Sequence, residues 1–158
     1  MKIRQEIPIK SFSICAYLWR TAAGGPQVLV LLRTSKNLNN TWQMVSGRLE
    51  KDETGWQAAL REIEEETGLK PDRFYSTDKV ECFYAPDQNC ISVVPVFIGF
   101  VDTPQEVRLS DEHSDYRWIS PEEAEAYLSF DQQVEMVQYL RERFVDREPK
   151  PLLRIPVP

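Results

Sequence analysis

Glu62, Glu65 and Glu66 lie in the run ALREIEEETGL, three and four residues apart, where one helix would bring them to one face. Thr54 to Glu66 is rich in helix formers, among them Ala58, Ala59, Leu60 and Arg61, and contains no proline. Asp52, Glu53 and Thr54 suit a helix start, where acidic groups complement the dipole. Gly68 suits a C-terminal stop, and Pro71 blocks resumption. On that helix like charges cost about 0.2–0.5 kcal/mol per pair. Glu65 and Glu66 also oppose the negative end of the dipole, a place where a solvated helix would carry lysine or arginine. Three carboxylates held against both effects point to a compensating cation. Hard oxygen donors favour Mg2+, with Mn2+ as a substitute, over zinc. A single histidine, His113, argues against a histidine-based zinc site and reads as a hydrogen-bonding loop residue.

The surrounding residues extend the pattern. Gly47, Glu53, Arg61, Glu62, Ile63, Glu65, Glu66, Gly68 and Leu69 fill the spacing G-x5-E-x7-R-E-(aliphatic)-x-E-E-x-G-(aliphatic). This resembles a complete Nudix box. A plain charged helix, the usual meaning of a glutamate run, has no need of Gly47 and Glu53 at these distances. The resemblance implies hydrolysis of a nucleoside diphosphate linked to a further group. Glu62, Glu65 and Glu66 match the family's metal-binding carboxylates, and Gly47 the glycine whose carbonyl completes the coordination. Arg61 and Glu53 match the pair that braces loop against helix. For the general base two residues stay open, Glu62 and Glu112, the latter in SDEHSDYRWIS.

The residues before the box bear on substrate. Trp42-Gln43-Met44-Val45-Ser46-Gly47 stands where many family members carry Pro-Gly-Gly. This W-Q-x-V-x-G variant resembles the branch that converts dATP and dihydroneopterin triphosphate to monophosphate and pyrophosphate. Cleavage of ADP-ribose, an NDP-sugar or a dinucleoside polyphosphate is the alternative within the enzyme class. A catalytically silent nucleotide-sensing or protein-binding module is the alternative outside it, marked by loss of a box carboxylate, and none is lost here. Arg33, Lys36 and Arg48 are candidates for phosphate contacts, and Trp42 for stacking on a base, with core packing as the other fate of such aromatics.

The rest of the chain must position these groups. At 158 residues one domain with a proper core is expected, 1–148, followed by a proline-rich tail over 149–158 that runs extended or strapped to the surface. A net charge of −6 with no basic stripe disfavours nucleic-acid polymers and anionic membranes as partners. A polyphosphate must therefore arrive with its metal or meet a local basic patch. Three cysteines without a CxxC pair, and a start interrupted by Pro8 and Lys10, suggest a cytoplasmic protein with reduced thiols. The family resemblance leaves a homodimer as an available assembly.

Strands are expected over Ser11 to Trp19, Gln27 to Arg33, Phe74 to Tyr84, Ile91 to Val101 and Tyr116 to Ile119, with a short extended piece at Trp42 to Val45. Pro95 marks an edge position or a bulge. Ser120-Pro121-Glu122-Glu123 opens a helix with capping-box spacing, and a further helix spans Asp131 to Val145. Strands, one central helix, strands again and C-terminal helices make an α+β order. The resemblance implies the Nudix α/β/α sandwich, with a mixed β-sheet and a central catalytic loop-helix.

Overall fold

The strands expected over Ser11 to Trp19 and Gln27 to Arg33 turn out to be buried on both faces. The structure, a computed structural model, describes residues 1–158 except Ile3 and Asn37. Its elements run β1 (Ile9–Lys10), β2 (Ser13–Ala22), β3 (Gly25–Arg33), β4 (Trp42–Gln43), β5 (Val45–Arg48), α1 (Gly55–Thr67), β6 (Arg73–Ala85), β7 (Cys90–Phe100), β8 (His113–Ile119), α2 (Ala124–Tyr127), α3 (Asp131–Leu140) and β9 (Arg154–Ile155). Among the described residues the strands form one mixed sheet, ordered β4-β3-β2-β7-β6-β9, with β5 on β2, β8 on β3 and β1 on β7. The β2–β7 and β1–β7 pairs are parallel and the others antiparallel.

Strand parity sorts the core into two layers. Ile14, Ala16 and Leu18 of β2, with Leu29 and Leu31 of β3, pack against Ala58, Ala59 and Ile63 of α1. Cys15, Tyr17 and Trp19, with Val28 and Val30, face the opposite way and meet Met136, Val137, Leu140 and Phe144. The result is the expected α/β/α sandwich, with a β-sheet covered on both sides in its centre.

Several boundaries differ from the sequence reading for local reasons. The β2–β3 connection is a tight hairpin with Ala22 opposite Gly25, whose φ of 116° only glycine adopts comfortably. Pro95 lies in an interior strand, and the sheet accommodates it by a register shift in β6 between Ser76 and Val80, where Val80 faces Pro95. Ser120 and Glu123 form the expected capping box, but the segment it opens is a single 3-10 turn followed by the short α2. The helix from Asp131 stays α-helical to Leu140 and widens into a π turn at Arg141–Val145. The tail is strapped on as a strand, β9 pairing with β6 at Phe74 and Tyr75. No described helix is long and apolar enough to cross a membrane.

Ile63 and Leu140 are both fully buried, one in each layer. Ile63→Ala and Leu140→Ala should each lower unfolding free energy by about 2–5 kcal/mol in urea titrations. Because the sheet separates them, the double variant should show the sum within about 0.5 kcal/mol. A loss below about 1 kcal/mol in either would mean that its layer is not a packed core.

Candidate active site

Thr54 caps α1 through a reciprocal pair of hydrogen bonds: its hydroxyl accepts from the Gln57 N–H, and the Gln57 side chain accepts from the Thr54 N–H. This frees Glu53, expected at the helix start, for a different partner. Arg61 donates from Nε and Nη2 to the two oxygens of Glu53, at 2.7 and 3.0 Å. The same guanidinium donates to Glu62 at 2.7 Å, to Glu65 at 3.2 Å and to the Arg48 carbonyl at 2.9 Å. One arginine thus ties the loop, through Glu53 and Arg48, to two helix carboxylates. Asp52 takes a left-handed backbone, φ 63°, in the turn that presents Glu53.

Gly47 faces Glu62 at very short range. A Cβ built on Gly47 would lie 2.1 Å from the Glu62 Cδ and 2.2 Å from Oε1, so only glycine leaves room for that carboxylate. Gly68 ends α1 in the left-handed conformation, φ 70°. The following helix-end carbonyls, Glu66 and Thr67, accept from the N–H groups of Ser110 and Arg108. These bonds draw the Glu112 segment over the end of α1. The Thr34 N–H, donating to the Glu112 carbonyl at 2.9 Å, fixes it to the end of β3.

The tightest acidic grouping is Glu66, Glu112 and His113, whose ligand atoms lie within 4.8 Å of one another. Glu66 is only 4% exposed; its carboxyl accepts from the Ser46 N–H, yet Oε2 has no partner. Burial, with Glu62 and Glu112 nearby, pushes the Glu66 carboxyl up to about 9. Glu62 is also pushed up by burial, with Arg61 pulling it back. Burial lowers His113, favouring the neutral ring, and its Nδ1 likewise lacks a partner. Orphaned oxygen and nitrogen donors in a corner that the chain itself leaves un-neutralised fit a divalent cation. Glu65, by contrast, is more than half exposed and held by Arg61.

Glu62 and Glu112 open onto a cleft of about 800 Å3 bounded by β2, β5, β6, β7 and the start of α3, while Glu66 and His113 are buried against Glu112. Gly47, Arg48, Glu62, Glu112 and Arg33 line its acidic end. Arg33 sits opposite His113, at a register shift between β3 and β8 that re-aims the strand end. Arg48 lies over the Phe12 ring at 4.9 Å. Two expected substrate contacts are placed elsewhere. Lys36 is exposed and does not line the cleft. Trp42 is turned away because strand parity gives the inward position to Gln43, and its ring packs edge-on against Tyr127 at 5.4 Å.

The sequence reading passed over Glu81, Phe130 and Gln133, all of which line the cleft, and gave His113 a hydrogen-bonding role rather than one beside Glu66. The parity of β6 carried a signal. Glu81 and Phe83 share their face with buried Ala85, so a carboxylate was being turned inward.

Two variants separate these contacts. Gly47→Ala must displace the Glu62 carboxylate, a flexible group at a partly open site, so the melting temperature should hold within about 4 °C while turnover falls about 100-fold or more. Glu66→Gln replaces a buried carboxyl that the metal-free fold holds protonated near neutral pH, at a cost in stability, by an amide that does not ionise. It should raise the melting temperature of the metal-free protein and abolish the further rise on adding a divalent cation. A cation-induced rise as large as in the wild type would remove Glu66 from the metal set.

A family model for the NUDIX domain matches residues 12–141. An octanoyltransferase of Myxococcus xanthus is 33% identical over 126 residues, covering 78% of this chain and 34% of that protein. An asymmetrical bis(5'-nucleosyl)-tetraphosphatase of Mus musculus is 32% identical over 97 residues, 60% of this chain and 65% of the other. The alignments therefore span about a third and just under two thirds of these relatives. Among solved structures, a NUDIX hydrolase of Listeria monocytogenes superposes with a TM-score of 0.72 at 28% identity, covering 85% of this chain and 94% of that one. With the loop, the helix and the acidic corner all falling inside the matched region, the chain belongs to the Nudix family.

Proposed function

We propose that the chain is a Mg2+-dependent pyrophosphohydrolase that cleaves a nucleoside or pteridine triphosphate to the monophosphate and pyrophosphate. The observation that carries this reading is the corner of Glu66, Glu112 and His113, with Glu62 held by Arg61 beside it, at one end of a nucleotide-sized cleft. The W-Q-x-V-x-G run ahead of the box supports the triphosphate branch.

Glu62, Glu66, Glu112 and the Gly47 carbonyl would hold the cation, with Glu65 swinging from Arg61 and His113 offering a neutral nitrogen. A divalent cation there neutralises phosphate charge and lowers the pKa of an attacking water. The chain's own part is positioning. Arg33 and Arg48 orient the phosphate chain, and Arg61 and Glu53 keep the Glu62 carboxylate aimed. Glu62 is engaged by Arg61, which leaves Glu112, exposed at the rim, as the better acceptor for the water proton.

A second reading, cleavage of a dinucleoside polyphosphate, draws on the mouse tetraphosphatase and on the half-exposed Phe83, Tyr84 and Phe130 along the cleft, surfaces on which a base can stack.

Purified protein with Mg2+ should be offered nucleoside triphosphates, dihydroneopterin triphosphate, ADP-ribose and a dinucleoside tetraphosphate, with products identified. Monophosphate plus pyrophosphate from a triphosphate is the expected result, and Glu66→Gln should lower that rate about 100-fold or more. Turnover of the tetraphosphate alone would transfer the assignment to the second reading. Undiminished turnover in chelator, or in Glu66→Gln, would overturn the metal-dependent mechanism.

A further inference from the structure

The end of the cleft away from the metal corner holds a polar group that the hydrolytic chemistry does not use. Glu81 is 6% exposed and lines the cleft, its Oε1 accepting at 2.5 Å from the hydroxyl of Tyr17, which is fully buried. Burial pushes this carboxyl up and the Tyr17 hydroxyl pulls it back. Burying a carboxylate is costly, and one hydrogen bond leaves most of its acceptor capacity unused. A second acceptor lies in the same cleft: the Gln133 side-chain oxygen is buried and has no partner. Beside them Phe83 and Phe130, 49% and 45% exposed, present aromatic side chains to the cleft.

The placement suits the far end of a nucleotide. Ser46 of β5, which binds Glu66, is paired with Cys15 of β2; Cys15 is paired with Val96 of β7; and Glu81 of β6 faces Val94 of β7. Metal corner and Glu81 are thus three strand spacings apart, about 14 Å. The Cys15 thiol between them is raised by burial and by both Glu81 and Glu66. Phosphates at the Glu66 end would bring the ring of the same molecule toward Glu81.

We propose that Glu81, locked by Tyr17, is a specificity-determining residue that accepts hydrogen bonds from a 2-amino-4-oxo ring edge, the adjacent ring N–H and exocyclic amino group of a guanine or a pterin. The inference rests on the triphosphatase reading above. An ionised carboxylate only accepts and so selects a donor–donor edge: adenine offers one amino donor beside an acceptor nitrogen, and hypoxanthine lacks the amino group. The faces of Phe83 and Phe130 are open to ring stacking without choosing among rings.

Full-length wild type, Glu81→Gln and Glu81→Asp should be compared on GTP, ITP and ATP with Mg2+, and thermal melts should verify folding. The wild type should favour GTP over ITP by at least about tenfold in kcat/KM, the scale of one hydrogen bond to a charged group. Glu81→Gln should bring that ratio within about threefold, acting chiefly through a raised KM on GTP. Glu81→Asp, which keeps the charge but withdraws it, should reduce the ratio as well and serves if the glutamine variant misfolds. Calorimetric titration with GMP and IMP reads the same preference without turnover. If no triphosphate is hydrolysed, the functional reading fails, while the GMP-to-IMP ratio still decides the role of Glu81. Equal use of GTP and ITP by the wild type, or an unchanged ratio in both variants, would overturn the proposal.

Discussion

The arrangement depends on Arg61. Four acidic side chains near one helix end repel one another, and the dipole of that end repels them further. A single guanidinium, fixed by both oxygens of Glu53 and by the Arg48 carbonyl, reaches Glu62 and Glu65 from its remaining edge. Its planar fork is what allows several oxygens to be held at once, and a lysine would supply one point charge in its place. Arg61 compensates only part of the cluster. Glu66 lies outside its reach, and the loop that closes over the helix end brings Glu112 toward Glu66 rather than a cation. The chain is stabilised around this corner and left electrostatically incomplete within it, the condition under which binding a divalent cation contributes to the folded state.

That incompleteness is tolerable because the groups beneath it are firmly held. β2 and β3 are buried on both faces, so the strand that carries Cys15 and Tyr17 is fixed by α1 on one side and by α3 on the other. Core packing resists displacement, which keeps Glu81 against Tyr17 and supports the Gly47–Glu62 contact that Arg61 braces. The opposition between a strained polar site and a consistent apolar frame is where local rules are expected to be broken in a working protein.

The helix, its glycine stop and the carboxylate face were legible because each rests on interactions within a few residues. The N-terminal cap was read only in part. Thr54 and Gln57 make it, and Glu53 goes to Arg61, a choice that depends on the turn at Asp52 and on no propensity. β2 was recognised as a strand, but its two-sided burial was not, since apolar residues at both parities look the same whichever helix covers them. Trp42 takes the core-packing alternative for a related reason: strand parity at β4 chooses Gln43 for the cleft, and a two-residue strand shows no parity in sequence. His113 and Glu112 approach Glu66 across some forty-five residues of chain, through hydrogen bonds to helix-end carbonyls that sequence patterns do not display.

The same distinction separates the two ends of the cleft. The acidic end is built on one loop and one helix whose spacing is covalent, with Glu112 and His113 brought to it from the start of β8, so a change of the loop–helix spacing disturbs Arg61, Gly47 and the helix carboxylates together. The far end draws Tyr17 from β2, Glu81 and Phe83 from β6, and Phe130 and Gln133 from the start of α3, elements brought together only by the sheet and its packing. None of those side chains bonds to Arg61 or Gly47, so in physical terms a substitution among them alters recognition without rearranging the catalytic corner. The α3 end is itself held to β6 by Gln132, whose amide donates to the Cys82 carbonyl and accepts from the Cys82 N–H, in the manner of a neighbouring strand. This side-chain clamp ties the start of α3, with Phe130 and Gln133 on either side of it, to the strand that carries Glu81 and Phe83. Two backbone-like hydrogen bonds from one amide thus do locally what a further strand would do, and hold the far end of the cleft together without any bond to its acidic end.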